Sequence, residues 1–338
     1  MTVVEVPSGT HMAGTWLGGR FRLDERISVG EHTSGSWGED TSGSGGGSWE
    51  ADGLALWKAT DQLLNRPVTV YLLPPGLPVP PRVIEAVQAA AKISDPRLAT
   101  VYDTDFSPEC PYIVSEWTPG THLEDLLLSG LPTPALAAAM IADAADALAT
   151  VHQAGLAHLR LTPRSLRWDS YRGLKITGLG LDAALCGPAP GGTDTDDPMV
   201  ADTMALARML YALLTGYWPG LTGYWPGEEA AALPPAPRHK GRVCTPRQVR
   251  AGVPAILDAI TYRALRGQAP DAPARPLTPA GLAMALRGVQ RPSFQLDPPE
   301  DVARPSARVR ESVARPPARH ARARAGIRHR TTLLYPAA

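Results

Sequence analysis

The residues with most to offer chemically fall between positions 158 and 182. Arg160 and Lys175 could together hold an anion, a metal-free nucleotide among the candidates. The competing reading pairs Arg160 with a nearby carboxylate. That reading is favoured, because lone basic residues are usually solvated or paired. Other chemistries find little support. His122, His152, His239, His320 and His329 show no metal-ligand spacing, so no metal site is expected. Cys110, Cys186 and Cys244 are odd in number, far apart and without a CxxC spacing. That argues against a disulfide framework and a zinc site, and fits a reducing compartment. No nucleophile elbow is present. Near the end, Arg328-His329-Arg330 precede Thr331 and Thr332, two hydroxyls in a basic setting. A phosphate on either would add about two negative charges.

The bulk of the chain narrows the classes further. Its 338 residues suit one large domain or two small ones, and its apolar share of 44% is enough for a sizeable core. Lys and Arg number 33, as do Asp and Glu, so no global field draws nucleic acid. No uninterrupted apolar run reaches the roughly 18 residues of a membrane helix. The first residues lack a basic region followed by an apolar one, so no signal peptide is read. The expectation is a soluble, cytoplasmic protein.

The elements that must position Arg160 and its neighbours follow from periodicity. Residues 1–13 read as disordered and residues 14–29 as a strand. Residues 30–52 form a Gly/Ser-rich insertion that cannot build a core. It contains Thr33, Ser34, Thr41 and Ser42, and reads as an inert linker more readily than as a phosphorylated loop. Strands are expected at 54–59 and 68–73 around a turn at 64–67, then a helix over 82–93 and strands at 98–106 and 111–117. Beyond residue 120 the pattern turns helical: 134–154 with Gly155 as a stop, an apolar helix over 200–215, and further helices at 246–266 and 278–289. Short strands and turns fill 157–181. LTGYWPG occurs twice in tandem, at 214–220 and 221–227, and reads as a tolerated local duplication.

Ordered this way, the landmarks resemble those of protein kinases. His158-Leu159-Arg160-Leu161-Thr162-Pro163-Arg164-Ser165-Leu166 resembles the catalytic loop. Leu174-Lys175-Ile176-Thr177-Gly178-Leu179-Gly180-Leu181 resembles the metal-binding loop. Val68-Thr69-Val70-Tyr71 stands where kinases carry V-A-I-K, and Tyr112 to Trp117 resembles the hinge strand. Asp202 to Leu206 resembles the start of the buried anchoring helix, and Arg275-Pro276 the late R-P pair. The likeness spans about residues 20–290. It implies a bilobal α+β fold, with a small β-rich lobe carrying one helix over 14–117 and a larger helical lobe over 118–290. Residues 291–338 form an Arg/Pro/Ala-rich tail that reads as disordered.

Within that resemblance the departures carry the functional expectation. Kinase chemistry is mostly positioning and charge stabilisation, so a few charged groups are indispensable. The phosphate-gripping lysine position is Tyr71. Its glutamate partner position is Ala86, with Glu85 one residue off. The proton-accepting aspartate position is Arg160, the second-metal asparagine position is Ser165, and the magnesium-binding aspartate position is Gly178. The insertion after Val29 replaces the Gly-rich loop, and no A-P-E signature lies between Gly187 and Val200. Arg160 cannot act as a base. Without carboxylates, magnesium has no anchor. His158, Pro163, Gly180 and Asp202 match family residues that build the frame. Tyr71 is expected to fill the cleft, since its ring favours burial.

These readings make the chain a catalytically inactive, kinase-like scaffold or regulator with no cofactor. The alternative is an atypical Ser/Thr kinase or ATP-binding protein that uses Glu85 or Asp182. A narrower resemblance is to actinobacterial pseudokinase domains associated with the lipid II flippase of cell-wall synthesis, carried by the H-L-R-L-T-P core at 158–163. It implies a protein partner, either a phosphothreonine-reading forkhead-associated domain or an upstream Ser/Thr kinase acting on Thr331 or Thr332. The basic tail could also touch anionic lipid. Without interleaved aromatics before Tyr335, sequence-specific nucleic-acid binding is not expected.

Overall fold

A computed structural model describes residues 11–27, 54–76, 78–186, 197–220, 233–266 and 277–289. The insertion at 30–52, the second LTGYWPG copy, Arg275-Pro276, most of the stretch between Gly187 and Val200, and the tail with Thr331 and Thr332 lie outside the described residues.

The first part of the chain is a six-stranded antiparallel sheet in the order β1-β2-β3-β4-β6-β5. Its strands are β1 (Trp16–Leu17), β2 (Phe21–Ile27), β3 (Ala55–Asp61), β4 (Arg66–Leu72), β5 (Val101–Asp105) and β6 (Tyr112–Glu116), with helix α1 (Pro81–Ala90) between β4 and β5. Period-two alternation separates two faces. Val68, Val70 and Leu72 of β4 join Leu23, Trp57 and Val114 in one apolar cluster. Tyr71 and Leu73 turn to the other face, toward α1. The strand expected over 14–29 is two strands, broken at Gly18-Gly19, where φ is +53° and +65°. The expected turn at 64–67 ends earlier. Asn65 takes the left-handed conformation at φ +48°, and Arg66 and Pro67 already pair in β4.

Asp61 closes this turn. It is fully buried at 0% exposure and accepts from Arg20 Nε at 2.9 Å and Arg20 Nη2 at 2.8 Å. The Arg20 hydrogen bond holds its carboxyl down at about 2, against the opposing pull of burial. A depressed folded value means the stabilisation is present above the unfolded value near 4 and is lost as pH falls through about 2. Asp61→Asn should therefore flatten the acid limb between about pH 4 and 2. Urea midpoints measured across that range check this, and equal slopes in the two proteins would contradict it.

The second part is helical around α3 (Pro134–Gln153) and α5 (Pro198–Thr215), with α2 (Leu123–Ser129), α6 (Pro246–Val249), α7 (Ala255–Arg266) and α8 (Pro279–Arg287). Four of these helices begin with proline directly after a capping-type residue: Thr133-Pro134, Asp197-Pro198, Thr245-Pro246 and Thr278-Pro279. Proline is preset for the first helical position and has no N–H to leave unpaired. The preceding side chain caps the turn in three of them, with Thr133 Oγ1 accepting from Leu136 N at 3.2 Å, Asp197 from Met199 N at 2.9 Å and Thr278 from Gly281 N at 3.1 Å. α5 is buried all round, from Leu206 to Thr215 without a break. It stops at Gly216, φ +81°.

Among the described residues one helix, α3, is long and apolar enough to cross a membrane, averaging a hydropathy of 1.4. Asp143 and Asp146 interrupt its apolar run, and it packs against α5, α8 and β9 (Gly173–Ile176) as a core helix. The single helix expected over 246–266 is two, α6 and α7, parted at Gly252-Val253-Pro254. Gly252 has φ +88° and Pro254 cannot donate to a preceding turn. The helical part also holds a three-stranded sheet of β7 (Thr121–His122), β8 (Leu166–Asp169) and β9, a hairpin of β10 (Arg238–His239) and β11 (Arg242–Val243), and a short helix α4 (Leu181–Cys186) that periodicity did not reveal.

Candidate functional site

The His158 loop is fixed from below by α5. Asp202, 1% exposed, accepts at Oδ2 from His158 N at 2.8 Å and from His152 Nε2 at 2.9 Å, and at Oδ1 from Leu159 N at 2.8 Å. Leu159 sits at φ +60°, a conformation that costs a side-chain-bearing residue about 1–2 kcal/mol. The carboxylate holds it there by meeting the two amides the turn exposes. His158 donates from Nε2 to Thr177 O at 2.9 Å, tying the loop to the strand before Gly178. Its Nδ1 is buried without a hydrogen-bond partner among the described residues. Pro163 is buried in the same turn. Ser165 braces the loop: its Oγ accepts from Thr162 N at 3.2 Å and donates to Arg160 O at 3.3 Å. Each bond of Ser165 Oγ thus goes to the loop itself.

Beyond the loop, the chain packs a short helix against α1 and the sheet. α4 follows Gly178 directly, and Leu181 and Leu185 pack with Leu73, Val79, Val83, Val87 and Ile113, with Tyr71 packed against the same cluster. Burying each leucine stabilises this arrangement by about 1.5–3 kcal/mol. Arg82 of α1 donates from Nε to Ala184 O at 3.0 Å, clasping α4. Ala86 faces Gly180, where a Cβ would stand 4.0 Å from the Ala86 methyl. Glu85 is exposed on α1.

Gly178 has φ +75°, and a Cβ built on it would overlap the carboxylate of Asp182. The side chain of Asp182 therefore takes up the space in which a residue at 178 would project. Burial pushes its carboxyl up, while His158 and Arg160 act the other way. Arg160 thus lies within electrostatic reach of a carboxylate. Lys175 does not join it: its Nζ donates to Glu116 Oε2 at 2.7 Å and to Leu98 O at 3.1 Å, tying β9 to the hinge strand. The anion pocket built from Arg160 and Lys175 is thereby overturned.

At the hinge, Trp117 is flanked by cations from both lobes, with Lys58 Nζ 5.1 Å and the Arg167 guanidinium 5.9 Å from the ring centre. Arg167 donates to Gly120 O at 2.6 Å and to His122 Nε2 at 2.6 Å. His122 in turn donates from Nδ1 to Arg164 O at 2.7 Å, which fixes its tautomer. Burial, then the Arg167 charge, lowers the His122 pKa, and burial lowers that of Arg167. Sequence reasoning missed Lys58, Trp117 and Arg167 as a group, because they meet only through the fold. It also missed α4, although the Leu181/Leu185 spacing was a signal for an amphipathic turn. Among the described residues no group of three or more His, Cys, Asp or Glu could hold a metal ion.

The sheet with α1, the hinge, the Asp202-anchored loop and the buried helix α5 together make a bilobal α+β protein-kinase-like fold. The chain superposes on the Mycobacterium tuberculosis PknI kinase domain with a TM-score of 0.56 at 17% identity, covering 82% of this chain and 98% of that one. It superposes on a Rad53 fragment in complex with AMP-PNP with a TM-score of 0.52 at 19% identity, covering 72% of this chain and 62% of that one. In sequence it is 30% identical over 239 residues to the serine/threonine-protein kinase PknB of Mycobacterium tuberculosis, covering 61% of this chain and 36% of that protein. The PknB of Mycolicibacterium smegmatis is 28% identical over 294 residues, covering 72% and 44%. The chain thus spans less than half the length of these curated relatives. No family model matches the chain.

Proposed function

We propose that this chain is a pseudokinase: a cytoplasmic kinase-like domain that works by binding a protein partner and does not transfer phosphate. The observation that carries this reading is the state of the cleft. α4 packs against α1 and the sheet, Tyr71 packs against the same apolar cluster, and the Gly178 side-chain space holds a carboxylate set near Arg160. Magnesium binds through carboxylates and phosphate oxygens in open octahedral geometry. Here desolvation works against the charged form of the carboxylate at that place, and Arg160 lies within its electrostatic reach. Losses within one catalytic constellation are not additive, but a single group is commonly worth a hundredfold or more in rate. A place near cell-wall synthesis, with a forkhead-associated domain or an upstream kinase acting on Thr331 or Thr332, rests on the family resemblance at 158–163 alone.

One observation favours a second reading, an atypical kinase. Asp182 brings a carboxylate close to where a metal ligand at 178 would be needed, and relatives carry the name of serine/threonine kinases. Glu85, exposed on α1, does not serve that reading. A thermal-shift titration with ATP, with and without magnesium, separates the two. The pseudokinase gives no magnesium-dependent shift, and radiolabelled phosphate incorporation stays at the level of a heat-denatured control. Metal-dependent incorporation above that control would end the proposal.

A further inference from the structure

Four residues, Trp117 to Gly120, join β6 to β7 and so connect the two lobes. Both ends of this connector are fixed. On the small-lobe side, Glu116 pairs with Val68 in the sheet and donates from its N to Thr100 O at 2.8 Å. On the large-lobe side, Gly120 lies against β8, where a Cβ on it would stand 2.5 Å from Trp168 O. Its φ of +106° is one that residues with a side chain rarely adopt. Gly120 O also accepts from Arg167 Nη2 at 2.6 Å. A rotation of one lobe against the other thus falls on residues 117–119, where Pro119 has its own φ locked by its ring.

Trp117 is half-buried at this point. Lys58 reaches it from the small lobe. Trp57 and Ala59 turn into the small-lobe core, so the alternation of β3 sends Lys58 to the opposite face, with its Nζ 5.1 Å from the ring centre. Arg167 reaches it from the large lobe, with its guanidinium at 5.9 Å. The negative face of an indole ring attracts a cation within about 6 Å. Among the described residues neither cation forms an ion pair, and Asp125 acts on Arg167 at longer range. Arg167 is further held by donating from Nη1 to His122 Nε2 at 2.6 Å. Each cation therefore moves with its own lobe, while the ring moves with the connector.

We propose that Trp117 is a latch between the lobes: one cation from each lobe grips its ring, so a change in lobe orientation must break at least one of the two contacts. This holds whether or not the chain transfers phosphate. Amide hydrogen exchange of the full chain, followed by mass spectrometry, tests it, because exchange separates local opening from global unfolding. Lys58→Met nearly keeps the length of the side chain, removes its charge and breaks no side-chain hydrogen bond among the described residues. It should speed exchange at 117–122 by about two- to fivefold, the factor that one such contact carries, and leave α5 unchanged. Trp117→Leu removes both contacts and should speed it by about five- to thirtyfold, with Trp117→Phe, a weaker ring, in between. Adding Lys58→Met to Trp117→Leu should then do nothing further, because the ring it acts through is gone. The Lys175–Glu116 pair is untouched in every variant. If Trp117→Leu fails to fold, Trp117→Phe takes its place, and the Lys58→Met factor should shrink in that background. The proposal is overturned if Lys58→Met leaves 117–122 unchanged, if it speeds α5 as much as the connector, or if its full factor persists once the indole is replaced.

Discussion

Asp202→Ala should cost the fold about 4 kcal/mol, the largest loss expected from any single side chain in the site. The carboxylate is 1% exposed and carries three hydrogen bonds, from the amides of His158 and Leu159 and from His152 Nε2. Alanine leaves two buried amides without an acceptor, and each such loss costs about 1–3 kcal/mol. It also frees Leu159 from the φ of +60° that those bonds maintain, so the loop relaxes and His158 loses its hold on Thr177. Asp202→Asn keeps one acceptor but turns a donor toward a donor, and should cost about half as much. Urea denaturation of the three proteins checks the ranking. A loss near 1 kcal/mol for alanine would mean that water or another group already serves these amides.

The same anchoring separates what could be read from the sequence and what could not. Elements with a strong local signal were legible. α3 was expected at 134–154 and runs Pro134–Gln153, and the core helix expected at 200–215 runs Pro198–Thr215. Their caps and apolar spacing are written in adjacent residues, so no tertiary information is needed. The split of 246–266 into α6 and α7 was written just as plainly, at Gly252 and Pro254, but helical periodicity on either side masked it. The site divides in the same way. Tyr71, Ala86, Arg160, Ser165 and Gly178 take their places from the collinear family pattern alone, which is a property of the sequence. The packing of α4 against α1 could not be read. Lys58, Trp117 and Arg167 are far apart in sequence and meet only across the lobes. The Lys175–Glu116 pair likewise depends on residues 98–100 bridging β9 to β6, with Leu98 paired to Ile176 and Thr100 O accepting from Glu116 N, which no spacing rule expresses.

Gly178→Asp, the change that would write a metal-binding aspartate back into the loop, should destabilise the protein by about 2–4 kcal/mol and create no magnesium-dependent activity. The reason lies at the first side-chain atom. Residue 178 holds φ +75°, and its Cβ would collide with the Asp182 carboxylate. Gly178→Ala should therefore be damaging too, which a purely electrostatic account of the aspartate would not expect. Any side chain at 178 must push Asp182 aside, and with it α4, so that Leu181 and Leu185 leave the cluster beneath Tyr71. Asp182→Ala alone should change stability by less, because burial raises the Asp182 carboxyl and so already opposes its ionised form. The double variant Gly178→Ala with Asp182→Ala removes the overlap and retains only the backbone strain, so the two changes should couple by about 1–2 kcal/mol. A cycle additive to within about 0.3 kcal/mol would show that the two positions do not compete for one volume. Coupling of the expected size means that a side chain at 178 must displace Asp182, and α4 with it, before it can face the cleft.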